Sequence, residues 1–157
     1  MSKRLVAFFS ASGVTAQAAK TLVEAAGAGL YEIRPQTPYT SEDLNWRDKD
    51  SRCSREMNDR SFRPPLADRD APVADCDTIF LGFPIWWSTA PTIILTFLES
   101  YDFSGKTIVL FATSGGSGLD RSAVDLKDSV KGAALQAGRL LNGKPSKEEL
   151  AAWVDSL

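Results

Sequence analysis

A run of hydroxyl side chains with one glycine lies between the first apolar stretch of the chain and its first amphipathic segment. The run reads Ser10-Ala11-Ser12-Gly13-Val14-Thr15. Backbone N–H groups at the start of a helix, the helix dipole and hydroxyl donors together suit a phosphate group. The run holds no Lys or Arg and matches neither the nucleotide-triphosphatase loop nor the dinucleotide fingerprint. We therefore expect a cradle for a terminal monophosphate, with ordinary Ser and Thr capping of a helix as the alternative.

Two adjacent tryptophans, Trp86 and Trp87, follow the third apolar stretch and lie in a proline-flanked loop at residues 83–91. A large aromatic side chain in a loop can stack on a planar ring. The alternative is that either ring closes an edge of the core or a contact between two copies of the chain. Since neighbouring side chains diverge, one ring facing a ligand would be enough.

A third loop is rich in glycine and reads Thr113-Ser114-Gly115-Gly116-Ser117-Gly118. Glycine lets the backbone approach a ligand closely and adopt positive φ angles. The spacing around Ser114 and Ser117 does not form the Gly-x-Ser-x-Gly turn of a serine hydrolase. We expect this loop to bind rather than to attack.

Composition removes several classes of chemistry. The 157 residues include no histidine, which excludes Ser-His-Asp and Cys-His catalysis, His-ligated metals and His acid–base work. Eighteen basic and twenty acidic residues give a net charge of −2, so no basic footprint for nucleic acid is present. Cys53 and Cys76 lack metal-ligand spacing, so no metal site is expected. The short apolar run near the N-terminus is neither a signal peptide nor a membrane helix, and we expect a cytoplasmic protein with no membrane partner.

The sequence also excludes two classes of protein that handle phosphate esters. A cysteine phosphatase needs Arg six positions after its cysteine, where this chain has Asp59 after Cys53 and Gly82 after Cys76. An aspartyl-phosphate receiver needs Asp at the end of a central strand. The ends of the predicted strands carry Ser10, Pro84 and Thr113 instead.

Apolar runs alternate with helical patterns along the chain. Such alternation is typical of a doubly wound, open α/β fold with a parallel sheet, in which ligands bind at the carboxyl ends of strands. The capping box that starts at Ser146 predicts the beginning of the last helix. The predicted strands are residues 5–9, 30–34, 78–83, 107–112 and an edge strand within 132–143, and the predicted helices are 13–27, 89–100, 120–131 and 146–157.

Residues 35–75 are the least legible segment, because they mix both charge signs with five prolines. We expect a partly helical crossover around residues 42–60, followed by an extended stretch. A solvated connection is the simpler interpretation. A segment that covers a ligand is the alternative, because long loops in compact domains are often functional.

Taken together, five segments resemble the flavodoxin-like FMN-binding family. They are the hydroxyl loop (residues 10–15), Gly82-Phe83-Pro84-Ile85-Trp86-Trp87, Phe97-Leu98-Glu99, Gly105-Lys106-Thr107 and the glycine loop (residues 113–118). The resemblance extends over the whole chain in the same order. It implies one flavodoxin-like domain over residues 1–157, with a five-stranded parallel sheet in the order 2-1-3-4-5. It implies non-covalent FMN as the cofactor. The residues implied to hold the phosphate are Ser10, Ser12, Gly13, Val14, Thr15 and Ala16, and those implied to flank the flavin ring are Pro84, Ile85, Trp86, Trp87, Thr113, Ser114, Gly115, Gly116 and Ser117.

The resemblance implies a redox protein in which FMN carries the electrons, so no side chain needs to act as a catalytic acid or base. Two roles stay open: an NAD(P)H-dependent oxidoreductase acting on a quinone-like acceptor, and an electron carrier for a redox protein partner. The weak net charge gives little field to steer a basic protein partner. A flavodoxin-shaped binding module without flavin chemistry is a further alternative. A homodimer is compatible with exposed tryptophans at Trp46, Trp86 or Trp87.

Overall fold

The structure is a computed structural model that describes residues 3–11, 13–87, 89–113, 118–130, 132–142 and 145–157. Five parallel strands form one sheet in the order β2-β1-β3-β4-β5, which confirms the predicted fold class and strand order. The strands are β1 (Arg4–Phe8), β2 (Gly29–Glu32), β3 (Thr78–Pro84), β4 (Thr107–Thr113) and β5 (Ala134–Leu140). The helices are α1 (Val14–Ala26), α2 (Arg52–Asn58), α3 (Thr92–Ser100), α4 (Asp120–Lys127) and α5 (Lys147–Asp155).

Alternation along the central strands supplies a core on each face of the sheet. Leu81 and Phe83 of β3 point to the face covered by α3 and α4, whereas Phe80 points to the face covered by α1 and α5. Successive side chains of a strand point to opposite faces. A strand covered on both faces therefore needs an apolar residue at nearly every position, as these strands have.

Gly82 is the exception in β3, and its neighbour on β4 explains it. A Cβ atom built on Gly82 would lie 2.1 Å from Cζ of the buried Phe111 ring. The absence of a side chain at this position makes room for that ring. Packing of Phe111 against the α1 and α5 face therefore requires glycine here.

The predicted bounds of β2, α3 and α4 were wrong. Strand β2 covers Gly29–Glu32 instead of residues 30–34. Helix α3 begins at Thr92 instead of residue 89, because Thr89 pairs with Trp86 across a tight turn. Helix α4 ends at Lys127 rather than at residue 131. The expected partly helical crossover around residues 42–60 is confirmed, with its helix at Arg52–Asn58 and turns before it. The capping box is confirmed at its first half, since the Ser146 side chain accepts from the Glu149 N–H at 3.1 Å.

Candidate functional site at the carboxyl ends of three strands

The loop after β1 leads into α1 through a glycine in the left-handed region. Gly13 has a φ of 94° and stands at the N-cap position, and its N–H donates to Ser10 Oγ at 3.0 Å. No side chain of the described residues caps this helix, and its first turn contains no acidic residue. The first N–H groups of α1 are therefore available to an anion, and the helix dipole favours one there.

Thr113, the last residue of β4, connects the start of α1 with the residue that follows β3. Its hydroxyl lies 2.8 Å from the hydroxyl of Thr15 in the first turn of α1, and both side chains are buried. Its carbonyl accepts from the Ile85 N–H at 2.9 Å, just after β3. The start of α1 and the ends of β3 and β4 thus meet at one edge of the sheet, close to where the chain reverses its direction of winding.

The two tryptophans of the second loop have different environments. The Trp86 ring is partly buried and packs edge-on against Phe9 and Tyr39, with ring centroids 5.8 and 5.7 Å away. The Trp87 side chain is 46% exposed, at a tight turn closed by hydrogen bonds of 2.9 and 3.0 Å between Trp86 and Thr89. Trp86 therefore closes the core edge, and Trp87 is the ring that a ligand can reach.

Trp87 also has a backbone conformation that residues other than glycine rarely adopt, with a φ of 49°. Such a conformation costs of the order of 1–3 kcal/mol in a residue other than glycine. Strained residues of this kind are frequent at ligand-binding sites. The strain at Trp87 is thus a second feature that this loop shares with ligand-binding sites.

The crossover segment, residues 35–75, packs against the second loop through Tyr39. Tyr39 packs against Trp86, donates its hydroxyl to the buried Glu56, and lies under the Arg52 guanidinium, whose Cζ is 3.8 Å from the ring centroid. Arg52 Nε also donates to Glu56 Oε2 at 3.0 Å. Burial, followed by the hydrogen bond to Glu56, raises the pKa of Tyr39 above its usual value. Part of the predicted solvated connection is therefore an ordered wall of the site.

Between this wall and the first loop lies a cavity of about 370 Å³. Ser10 and Ala11 line it on one side, and Pro38 and Tyr39 on the other. Sequence reasoning did not identify Tyr39, because its partners Phe9 and Trp86 are far away in the chain. No local spacing indicates such a contact.

The structure brings together all the predicted site residues that it describes. Ser12 and the residues Ser114, Gly115, Gly116 and Ser117 lie outside the described residues. That the set binds a cofactor stays a prediction. The described members that lie at the shared edge are Ser10, Gly13, Val14, Thr15, Ala16, Pro84, Ile85, Trp86, Trp87 and Thr113.

Within the described part of the chain, no helix has the length and apolar character needed to cross a bilayer. The same described residues contain no cluster of His, Cys, Asp and Glu side chains suited to a metal ion.

Comparison with known proteins relates the whole chain to one family. A family profile described as Flavodoxin matches residues 3–157. The crystal structure of a candidate flavoprotein from Bacteroides eggerthii DSM 20697 is 47% identical, with a TM-score of 0.94 over 99% of this chain and 98% of that one. A second crystal structure, of a candidate flavoprotein from Bacteroides uniformis ATCC 8492, has 49% sequence identity to this chain and a TM-score of 0.92 over 98% of both chains. No curated protein matches.

A more distant solved structure shares the fold. It is a flavoprotein from Lactobacillus acidophilus NCFM in complex with FMN, 17% identical, with a TM-score of 0.74 over 98% of this chain and 99% of that one. Because the profile match covers nearly every residue and the strand order agrees with the expected one, this chain belongs to the flavodoxin family.

Proposed function

We propose that this chain binds FMN non-covalently at the carboxyl ends of β1, β3 and β4 and passes electrons through it. The observation that carries the proposal is the hydrogen bond between Thr15 and Thr113, which holds the start of α1, uncapped by any described side chain, beside the end of β4. The FMN bound by the Lactobacillus acidophilus protein of the same fold supports it.

The first loop fits the phosphate of FMN. Its N–H groups stand at the positive end of the 13-residue helix α1, and such helix starts bind phosphate groups. Ser10 Oγ already accepts from Gly13, so its own hydroxyl hydrogen is free to be donated to an anion. The proposed phosphate-binding residues are Ser10, Ser12, Gly13, Val14, Thr15 and Ala16.

The second loop fits one side of the flavin ring, and the loop that follows Thr113 is proposed to flank the other. Trp87 offers an exposed aromatic face, while Trp86 and Tyr39 stiffen the base of its turn. FMN, when bound, supplies the redox chemistry, and the protein's part is to position it and exclude water. The proposed ring-flanking residues are Pro84, Ile85, Trp86, Trp87, Thr113, Ser114, Gly115, Gly116 and Ser117.

The electron partners define two versions of this function. One is an oxidoreductase that takes electrons from NAD(P)H and delivers them to a quinone-like acceptor. The other is a carrier for a redox protein. Oxidation of NADPH by the FMN-loaded protein in the presence of a soluble naphthoquinone would support the first. FMN-loaded protein that ignores both small molecules would support the second.

Binding of FMN itself is tested by titration of the full chain with FMN and with riboflavin, followed by quenching of flavin fluorescence. We expect FMN to bind at least about tenfold more tightly, because charge-assisted hydrogen bonds to a phosphate are the strong ones. Equal affinities would contradict the phosphate cradle. Absence of binding by both flavins at high micromolar concentration would leave the alternative of a binding module without flavin chemistry.

A further inference from the structure

Beside Trp87, on the side facing α4, lies a second cavity of about 570 Å³, which we call the arginine pocket. Its wall includes Arg60, Arg63 and Arg121 together with Trp87, Thr89 and Asp125. The pocket brings together the residues after α2, the turn after β3 and helix α4. It shares Trp87 with the proposed flavin site but is otherwise built from different residues.

The three arginines differ in whether a carboxylate neutralises them. Arg63 donates from Nε and Nη2 to the two carboxylate oxygens of Glu99, at 2.9 and 3.1 Å. Arg121 Nε lies 3.6 Å from Asp125 Oδ2. Arg60 forms no ion pair within the described part of the chain.

The guanidinium of Arg60 is held in place by neutral groups. Its Nη1 donates to the Ala90 carbonyl at 2.9 Å and lies 3.5 Å from the Met57 sulfur. Its Nη2 is buried and has no hydrogen-bond partner among the described residues. A buried charged donor without a partner is costly, and an anion would relieve that cost.

Charges of both signs surround the Arg60 guanidinium. Burial lowers the pKa of Arg60; of the nearby charges, Asp125 acts most strongly and raises this pKa, whereas Arg63 and Arg121 lower it. The Asp125 carboxylate accepts the Thr89 hydroxyl and contacts Arg121, so it is already engaged by other groups.

The acidic residues of the pocket restrict the charge of the ligand. Asp125 and the exposed Asp128 both line the cavity. A di- or triphosphate would bring several negative charges close to these carboxylates and be repelled. A single carboxylate can pair with Arg60 while the remainder of the molecule stays neutral.

We propose that the arginine pocket binds a planar organic acid, with its carboxylate at Arg60 and its flat part against Trp87. Arg is well suited to this role because its fork of N–H donors matches a carboxylate. The Trp87 ring offers an apolar face at the mouth. That this acid exchanges electrons with FMN rests on the proposed function, whereas its binding does not.

The test uses 2-naphthoate as the probe and neutral 2-naphthamide as its matched partner, in calorimetric titrations of the full chain. We expect wild-type protein to bind the acid about tenfold more tightly, because one charge-assisted pair accounts for the preference. Arg60→Gln removes the charge while keeping an N–H donor for Ala90, and should abolish the preference. Arg55→Gln, an exposed arginine of α2 outside the pocket, should retain it.

Equal affinity of the wild-type protein for the two probes would overturn the inference, and so would an unchanged preference in Arg60→Gln. If Arg60→Gln does not fold, the side-chain Nε–H resonance of Arg60 in wild-type protein gives the answer. It should shift on addition of naphthoate and not of naphthamide; no difference between the two overturns the inference. Titration of the same samples with FMN separates the two proposals. A naphthoate preference in a protein that binds no FMN would support the pocket and contradict the proposed function.

Discussion

The hydroxyl oxygens of Thr15 and Thr113 lie 2.8 Å apart, although 98 residues separate them in the chain. One hydroxyl donates and the other accepts, inside a buried contact between α1 and the end of β4. This bond fixes the spacing between the helix start proposed to hold the phosphate and the loop proposed to flank the flavin ring.

Replacing either threonine by valine should destabilise the protein, because the hydroxyl of the other threonine then has no hydrogen-bond partner. We expect Thr15→Val and Thr113→Val each to lower the free energy of unfolding by about 1–3 kcal/mol, because each leaves a buried hydroxyl unpaired. The double variant should lose less than the sum. Urea unfolding of the four proteins measures this coupling.

Thr92→Val is the matched control for this cycle. Its hydroxyl is buried and has no hydrogen-bond partner among the described residues. Its replacement should therefore be neutral or stabilising. Strictly additive losses in the Thr15 and Thr113 cycle would show that their hydroxyls do not depend on each other.

Trp87→Gly should separate strain from ligand binding. Glycine accepts the φ of 49° without steric cost, so we expect stability equal to or up to about 1 kcal/mol above that of the wild-type protein. Loss of the ring should weaken FMN binding several-fold, because aromatic contacts of this kind contribute about 0.5–1.5 kcal/mol. Fluorescence titration with FMN measures the affinity.

Two reference variants complete this test. Trp87→Phe keeps an aromatic ring and should retain most of the affinity for FMN. Trp46→Gly removes another exposed tryptophan, in the turns before α2, and should leave FMN binding unchanged. If Trp87→Gly binds FMN as tightly as wild-type protein, the ring does not contact the flavin.

Gly82→Ala should destabilise the sheet through the Phe111 ring. The added methyl group would lie 2.1 Å from Phe111 Cζ, so the ring must move, at a cost of about 1–3 kcal/mol. The double variant Gly82→Ala with Phe111→Leu should lose less stability than the sum of the losses in the two single variants. Gly29→Ala is the control, because its methyl group would meet Leu5 Cδ1 at an ordinary 3.7 Å. Thermal unfolding that ranks Gly82→Ala with Gly29→Ala would contradict this explanation.

The ion pair between Arg63 and Glu99 should make stability depend on acid pH. The hydrogen bonds from Arg63 lower the pKa of Glu99 below its usual 4.5. Its contribution is therefore complete above about pH 4.5 and disappears as the pH falls through the lower pKa of the folded state. Wild-type protein should exceed Glu99→Gln in stability at pH 7, and the difference should vanish at strongly acid pH.

The size of that difference is limited by solvent, since the Glu99 side chain is 42% exposed. We expect less than about 1 kcal/mol at low salt, and a smaller value at high salt. Other acidic groups with lowered pKa values, such as Asp68, are present in both proteins and cancel in the comparison. A difference that persists unchanged at strongly acid pH would contradict the assignment.

Local sequence determined the layers of this protein and the edge of the sheet at which the candidate site lies. Uninterrupted apolar runs such as residues 78–83 predict strands covered on both faces, and their alternation with amphipathic segments predicts a parallel sheet. Strand order followed from the resemblance, and the structure confirms it. The hydroxyl loop could be located because a helix start next to a strand end is a feature of neighbouring residues.

Contacts between distant segments decided the rest. Trp86 and Trp87 are equivalent as sequence, and packing against Phe9 and Tyr39 turns the first inward and leaves the second exposed. Arg60 looks like any surface arginine in a mixed-charge segment until the chain brings it to the Ala90 carbonyl, where its guanidinium loses water without gaining a carboxylate. Burial and pairing of a side chain depend on residues that meet it only after folding, and no local pattern specifies them.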